Sequence, residues 1–176
     1  MNSDKLILFD VDGTLVDSGK EINSYMISIL KELKNNGYHI GIAGGGSIDK
    51  ILNQMKNEIL FEHYFSECGC VYYKNIGTDL LCIEKVYEKN IRNHELYHYI
   101  NILIKKALDF LSKVEYTLTG NFIDLRTGII YISLIGMSAT EEERKYFKEY
   151  DTKYKIREQL LALLIQAAKS LNIEDK

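Results

Sequence analysis

The chain has 176 residues, 46% of them hydrophobic, and a formal net charge of −3. That is enough apolar material for one domain or two small ones, and too little positive charge for nucleic-acid binding driven by bulk electrostatics. No segment holds the ~18 uncharged apolar residues of a membrane span, no signal-peptide pattern opens the chain, and three cysteines make no paired disulfide framework, which points to a reducing cytosol.

In chain order, residues 5–10 read as a buried parallel strand, Lys5-Leu-Ile-Leu-Phe-Asp10. Residues 20–36 read as a helix: Ile22, Met26, Ile29, Leu30 and Leu33 share one face, and Asn35-Asn36-Gly37 stops it. Residues 38–43 predict a second strand, followed by Gly44-Gly45-Gly46-Ser47 and a helix over 48–60. This β-α-β-α order implies a parallel sheet with right-handed crossovers. Residues 68–73 and 80–84 read as short strands around a turn near Asn75-Ile76-Gly77.

After about residue 85 the pattern changes. Residues 93–112 read as a helix, and 116–119, 122–126 and 129–134 as strands. Thr127-Gly128 between the last two predicts a tight hairpin. Ser138-x-x-Glu141 and Thr140-x-x-Glu143 are both capping-box candidates, and residues 151–171 predict one long amphipathic helix. Parallel order first and antiparallel order later divide the chain into an α/β core over 1–84 and an α+β module over 85–176.

The chemistry concentrates where the first strand ends. Asp10-Val-Asp12-Gly13-Thr14 places two carboxylates, one residue apart, beyond the carboxyl end of a strand, where ligands bind in open α/β sheets. Glycine there lets the backbone turn sharply. Two anions so close repel unless a cation lies between them, and hard oxygen ligands suit Mg²⁺. The plain alternative is an ordinary acidic loop after a strand.

The Asp10-x-Asp12-Gly13-Thr14-Leu-Val element resembles motif I of the haloacid-dehalogenase-like (HAD-like) phosphotransferases. That resemblance makes Asp10 the nucleophile that forms an aspartyl-phosphate and Asp12 the general acid/base, both near the Mg²⁺. Ile40-Gly-Ile-Ala-Gly44-Gly45 with Ser47, and Glu67-Cys-Gly69-Cys-Val-Tyr-Tyr73, narrow it further. With Phe122-Ile-Asp-Leu-Arg126-Thr-Gly128 and Ser133-Leu-Ile-Gly136-x-Ser138 through Arg144, they resemble the eukaryotic-type phosphomannomutase family. The resemblance implies a HAD-like Rossmannoid core, here an incomplete parallel sheet, with an inserted α+β cap. It implies interconversion of mannose 6-phosphate and mannose 1-phosphate through a hexose bisphosphate, a place in GDP-mannose synthesis, and a homodimer formed through the cap. Arg126 and Arg144 fall on two family arginines that clamp the non-reacting phosphate, a task that suits guanidinium forks. Gly45, Gly46 and Ser47 fall in the loop that faces the phosphoryl group.

The departures carry expectations too. The third cap arginine falls on Met137, the core serine on Gly46 with Ser47 one place late, and a sugar-contacting arginine near Gly19. The family's return to the core, with the motif III lysine and the rest of the metal loop, lies beyond Lys176. Impaired turnover is therefore expected of this stretch, with two alternatives: a catalytically dead remnant, or a module that binds sugar phosphate or a partner. The first strand then becomes an apolar sheet edge, which invites a covering partner. A rival motif is His94-Glu95-Leu-Tyr-His98, a literal H-E-x-x-H on a predicted helix. It raises a zinc peptidase only if a third ligand exists, Glu115 being the nearest downstream. Cys68-x-Cys70 with His63 is a further possible metal cluster, although cysteine often behaves as a small buried hydrophobe.

Overall fold

The computed structural model describes residues 5–173. Contacts divide the chain into two compact units, Met1–Asn90 with Thr127–Ile129 and Ile91–Arg126 with Ile130–Lys176.

The first unit is built on a five-stranded sheet in the order β1 (Leu6–Asp10), β2 (His39–Ala43), β3 (His63–Ser66), β4 (Val71–Asn75), β5 (Ile83–Glu88). β1, β2 and β3 run parallel, and β4 and β5 continue antiparallel. α1 (Ser24–Asn35) and α2 (Ile48–Gln54) are the crossovers that parallel strands require. Strand alternation decides which side they cover. Ile40, Ile42 and Tyr64 are wholly buried in one core with Leu30, Ile51 and Met55. The other face carries Leu8, Gly41 and His63 in register, and the rings of Phe65, Tyr72 and Tyr87 follow one another at 4.7 and 5.6 Å. β1 is an edge strand, and Leu6 and Leu8 are 47% and 51% exposed.

Several boundaries differ from expectation for local reasons. The first helix begins at Ser24, because the Asn23 side chain accepts the Met26 N–H (2.9 Å) and caps it there. The 48–60 helix stops at Gln54, and Lys56 and Asn57 adopt left-handed backbone. β3 was not predicted from the sequence; four residues are too few to show a period. Residues 68–69 lie in a short 3-10 turn, so the next strand starts at Val71.

The second unit contains α3 (Tyr97–Leu111), the hairpin β6 (Ile123–Leu125) and β7 (Ile130–Ile132), α4 (Glu141–Tyr154) and α5 (Ile156–Ser170). The predicted hairpin forms, with Ile123 opposite Ile132 and Leu125 opposite Ile130. The strand expected over 116–119 does not. Gly120 and Asn121 turn the chain at φ 96° and 55°, and Tyr116 instead buries its ring and donates its hydroxyl to the Leu134 carbonyl (3.0 Å). The single helix expected over 151–171 is two helices. Lys155 is left-handed (φ 56°), and the Asp151 carboxylate accepts the Arg157 N–H (2.9 Å), opening α5.

Of the two capping-box candidates, Thr140 is the one used. Its hydroxyl accepts the Glu143 N–H, and its own N–H donates to the Glu143 carboxylate (2.7 Å). Thr140→Ala is expected to cost about 1 kcal/mol in urea unfolding. That backbone hydrogen bond also holds the Glu143 carboxyl below its usual range. A lowered folded-state value contributes stability above the unfolded carboxylate range, lost as pH falls through the folded value. The stability gap between wild type and Glu143→Gln is therefore expected to close on acidification; a gap that widens refutes the cap.

Candidate active site

β1 ends on Asp10, which pairs with Ala43 at the end of β2. The acidic turn and the glycine loop therefore leave the sheet side by side. Three amides, of Thr14, Leu15 and Val16, converge on the Val11 carbonyl, and the Gly13 N–H bonds the Val16 carbonyl (2.7 Å). This tight turn puts Gly13 at φ 88°, a region glycine enters without strain. Asp10 is solvent-exposed and accepts a long hydrogen bond from the Thr14 hydroxyl (3.4 Å).

Asp12 is held quite differently. Its Oδ1 accepts the Gly19 N–H (2.9 Å) and the Gln54 side-chain amide (2.9 Å), and its Oδ2 meets the Lys50 ammonium at 3.4 Å. Burial pushes the Asp12 carboxyl up, but hydrogen bonds from Gly19 and Gln54 and the charge of Lys50 outweigh it and leave it below the usual range. The ionised form, ready to accept a proton, is the one the surroundings favour.

The glycine loop is tied from behind. The Gly44 N–H donates to the Phe65 carbonyl, the Glu67 N–H to Gly46 and the Cys68 N–H to Gly44, each at 3.0 Å. Gly45 and Gly46 thus sit beside Asp10 on a supported loop. Ser47 turns its hydroxyl to cap α2, accepting the Lys50 N–H (3.4 Å). A side chain at Gly46 would meet the Lys50 stem: a Cβ there lies 3.0 Å from Lys50 Cδ.

In the second unit, Arg126 follows β6 and pairs with Asp124 (2.6 Å), its guanidinium 5.5 Å from the Tyr131 ring centre. Arg144 donates to the carbonyls of Ala139 (3.0 Å) and Met137 (2.6 Å). It lines a cavity of about 380 Å³ with Tyr131, Ser133, Phe147, Lys148 and Arg157, whereas Arg126 is not among the lining residues. Met137 contributes its carbonyl to holding Arg144, not a phosphate-binding side chain.

The zinc readings lose their geometry. α3 starts at Tyr97, so His94 and His98 do not share a helix. The His94 ring accepts the Leu96 N–H (3.2 Å), and His98 packs on Tyr99. Among the described residues no group of three His, Cys, Asp or Glu is placed to hold a metal. A dication that keeps waters and takes substrate phosphate needs fewer protein ligands. Asp10 offers open hard oxygens of that kind; Asp12 Oδ1 is served twice at 2.9 Å, and its Oδ2 has the long 3.4 Å contact to Lys50.

Sequence reasoning passed over Lys50 and Gln54. Gln54 is 6% exposed, and burying an amide is unfavourable unless it is hydrogen-bonded. The available signal was their spacing: residues four apart share a helix face, here directly after the glycine loop.

A sequence model of eukaryotic phosphomannomutases matches residues 26–174. The chain belongs to the eukaryotic phosphomannomutase family. It is 32% identical over 173 residues to a phosphomannomutase of Triticum aestivum, covering 96% of this chain and 66% of that protein. It is 29% identical over 175 residues to phosphomannomutase 2 of Dictyostelium discoideum, covering 98% and 68%. The chain thus spans about two thirds of the length of these family members. Among solved structures it is similar to a haloacid dehalogenase-like hydrolase from B. subtilis, at 18% identity and TM-score 0.48 over 94% of this chain and 50% of that one. The family match alone carries the assignment.

Proposed function

We propose that this chain carries the phosphoryl-transfer apparatus of a phosphomannomutase. It would interconvert mannose 6-phosphate and mannose 1-phosphate through a hexose bisphosphate, and so serve GDP-mannose synthesis. The observation that carries this reading is the unequal treatment of two carboxylates, one residue apart, at a strand end: Asp10 is open, and Asp12 is fixed by Gly19, Gln54 and Lys50.

In the first half-reaction an Asp10 carboxylate oxygen attacks a phosphorus of the bisphosphate. The ester P–O bond breaks, the departing sugar oxygen takes the proton of the Asp12 carboxyl, and Asp10 holds the phosphoryl group as an acyl phosphate. In the second half, the free hydroxyl of a bound hexose monophosphate attacks that phosphorus. The Asp12 carboxylate takes its proton, and Asp10 leaves as a free carboxylate. The bisphosphate so formed reorients to present its other ester to Asp10 in the next round. Hydrogen bonds that favour ionised Asp12 assist this second half and oppose the first. Mg²⁺ held by Asp10 and Asp12 would neutralise phosphate charge. Arg126 and Arg144 would hold the non-reacting phosphate after exchanging their present acceptors for it, and Gly45, Gly46 and Ser47 would border the reacting one. In this reading residues 1–84 are the core and 85–176 the cap.

One observation favours a weaker enzyme or a binding module. Gly46 has no hydroxyl, and the Ser47 hydroxyl is engaged at a helix cap. Turnover of mannose 1-phosphate with Mg²⁺ and a hexose bisphosphate, with Asp10→Asn as control, separates the two readings. Turnover lost in the control supports transfer through Asp10, and none in folded wild type leaves binding alone.

The half-exposed Leu6 and Leu8 on edge strand β1 support a covering partner, and we infer a homodimer on family grounds. The three free thiols agree with a reducing cytoplasm. Sedimentation velocity is expected to show a species larger than the monomer, and a clean monomer counts against both.

A further inference from the structure

Three features of the first unit converge on Lys50. Its ammonium reaches the Asp12 carboxylate, a residue 38 positions earlier, at 3.4 Å. Its stem crosses Gly46, where any side chain would meet it: a Cβ at that position would lie 3.0 Å from Lys50 Cδ and 3.4 Å from its Cβ. And Asp12 does not depend on it for position, because Oδ1 is pinned at 2.9 Å by both Gly19 and the buried Gln54.

The Lys50 contact is thus the long one, on the oxygen the other two donors leave alone. The side chain remains 47% exposed, so its ammonium is hydrated and able to move. An exposed pair at that distance contributes little. A phosphoryl group carries more charge than one carboxylate, and charge-assisted hydrogen bonds to its oxygens are stronger. A group bound between Asp10 and the glycine loop would lie close to this ammonium, since the loop leaves β2 beside Asp10.

We propose that Lys50 is a catalytic residue of this site: its ammonium moves from Asp12 Oδ2 to a non-bridging oxygen of the phosphoryl group travelling to or from Asp10, and Gly46 is the residue that lets its stem cross the loop. Lys50 forms no covalent bond and stays protonated. Once there, it counters charge that grows on the phosphoryl oxygens in the transition state. The inference rests on reading Asp10 as the phosphoryl carrier.

The test has a readout independent of turnover. Binding of inorganic phosphate in the presence of Mg²⁺ is measured by calorimetric titration on wild type, Lys50→Met, Lys50→Arg, Gly46→Ala and the double variant Lys50→Met/Gly46→Ala. Thermal melts confirm that each is folded. Lys50→Met keeps the length and loses the charge, so affinity should fall ~10–100-fold, the worth of one charged hydrogen bond. Lys50→Arg should recover most of that loss. Gly46→Ala should weaken binding by displacing the stem, and should add nothing once Lys50 is Met. Where wild type turns over, Lys50→Met should lower kcat by roughly 10²-fold with KM changed less.

Phosphate binding unchanged in Lys50→Met overturns the proposal, as does a folded wild type that binds no phosphate at millimolar concentration. Additive losses in the double variant overturn the part assigned to Gly46. Turnover that survives Asp10→Asn instead removes the nucleophile reading, whereas turnover lost in Asp10→Asn and kept in Lys50→Met removes this inference alone.

Discussion

Asp10→Asn is expected to lower phosphoryl turnover at least ~10⁴-fold, the scale of loss when a covalent nucleophile is removed. The amide is the same shape as the carboxylate but a much poorer nucleophile. The substitution should leave the fold alone, because Asp10 is exposed at the end of an edge strand and its hydrogen bond with Thr14 is long. A change in unfolding free energy within about 0.5 kcal/mol is expected, as for surface positions generally. Paired turnover and melting measurements decide the matter. Loss of turnover with an unchanged melt assigns the chemistry to Asp10. Equal turnover in both proteins means the phosphoryl group never visits this carboxylate. Asp12→Asn is expected to behave differently, because Gly19, Gln54 and Lys50 all donate to that carboxylate and an amide cannot accept from all three without turning a donor toward one of them.

Phe147→Ala is expected to cost about 3–5 kcal/mol, the range for deleting a buried ring. Phe147 is 2% exposed on α4. Its ring lies 5.1 Å from that of Tyr116, and the Arg157 guanidinium sits 5.1 Å from its centre on the other helix. Removing it leaves a void among Tyr116, Ile156 and Leu160, and loosens the wall of the cavity that Arg144 lines. Urea unfolding followed by far-ultraviolet circular dichroism reads the loss, since α3, α4 and α5 belong to this unit. A cost under about 1 kcal/mol would mean the void collapses freely and the second core is not held by this ring.

The parts of the fold that local pattern specifies were legible. Alternating and continuous apolar runs gave β1 and β2 to within a residue, and Thr127-Gly128 between two short strands gave the hairpin. Thr140 with Glu143 marked the start of α4 because the capping box is a four-residue device. What local pattern does not specify was missed. β3 is too short for a period and exists because β2 and β4 supply its hydrogen bonds on both sides. The break at Lys155 carries no glycine or proline; it is set by the Asp151 carboxylate, which reaches forward to the Arg157 amide. The literal H-E-x-x-H counted on a helix that begins only after both His94 and Glu95.

For the candidate site the division runs between presence and circumstance. Family membership, the carboxylate pair of Asp10 and Asp12, and their place at a strand end are local facts of sequence, since a strand, a glycine and two acids within eight residues leave the backbone few options. That Asp12 is pinned by three donors while Asp10 stands open was decided only by the tertiary structure. Lys50 and Gln54 reach Asp12 from 38 and 42 residues away. They do so because parallel pairing of β1 and β2 aligns the end of one strand with the start of α2 after the other. Electrostatic environment depends on distance in space, and neither side chain carries any mark, read along the chain, of which carboxylate it will meet.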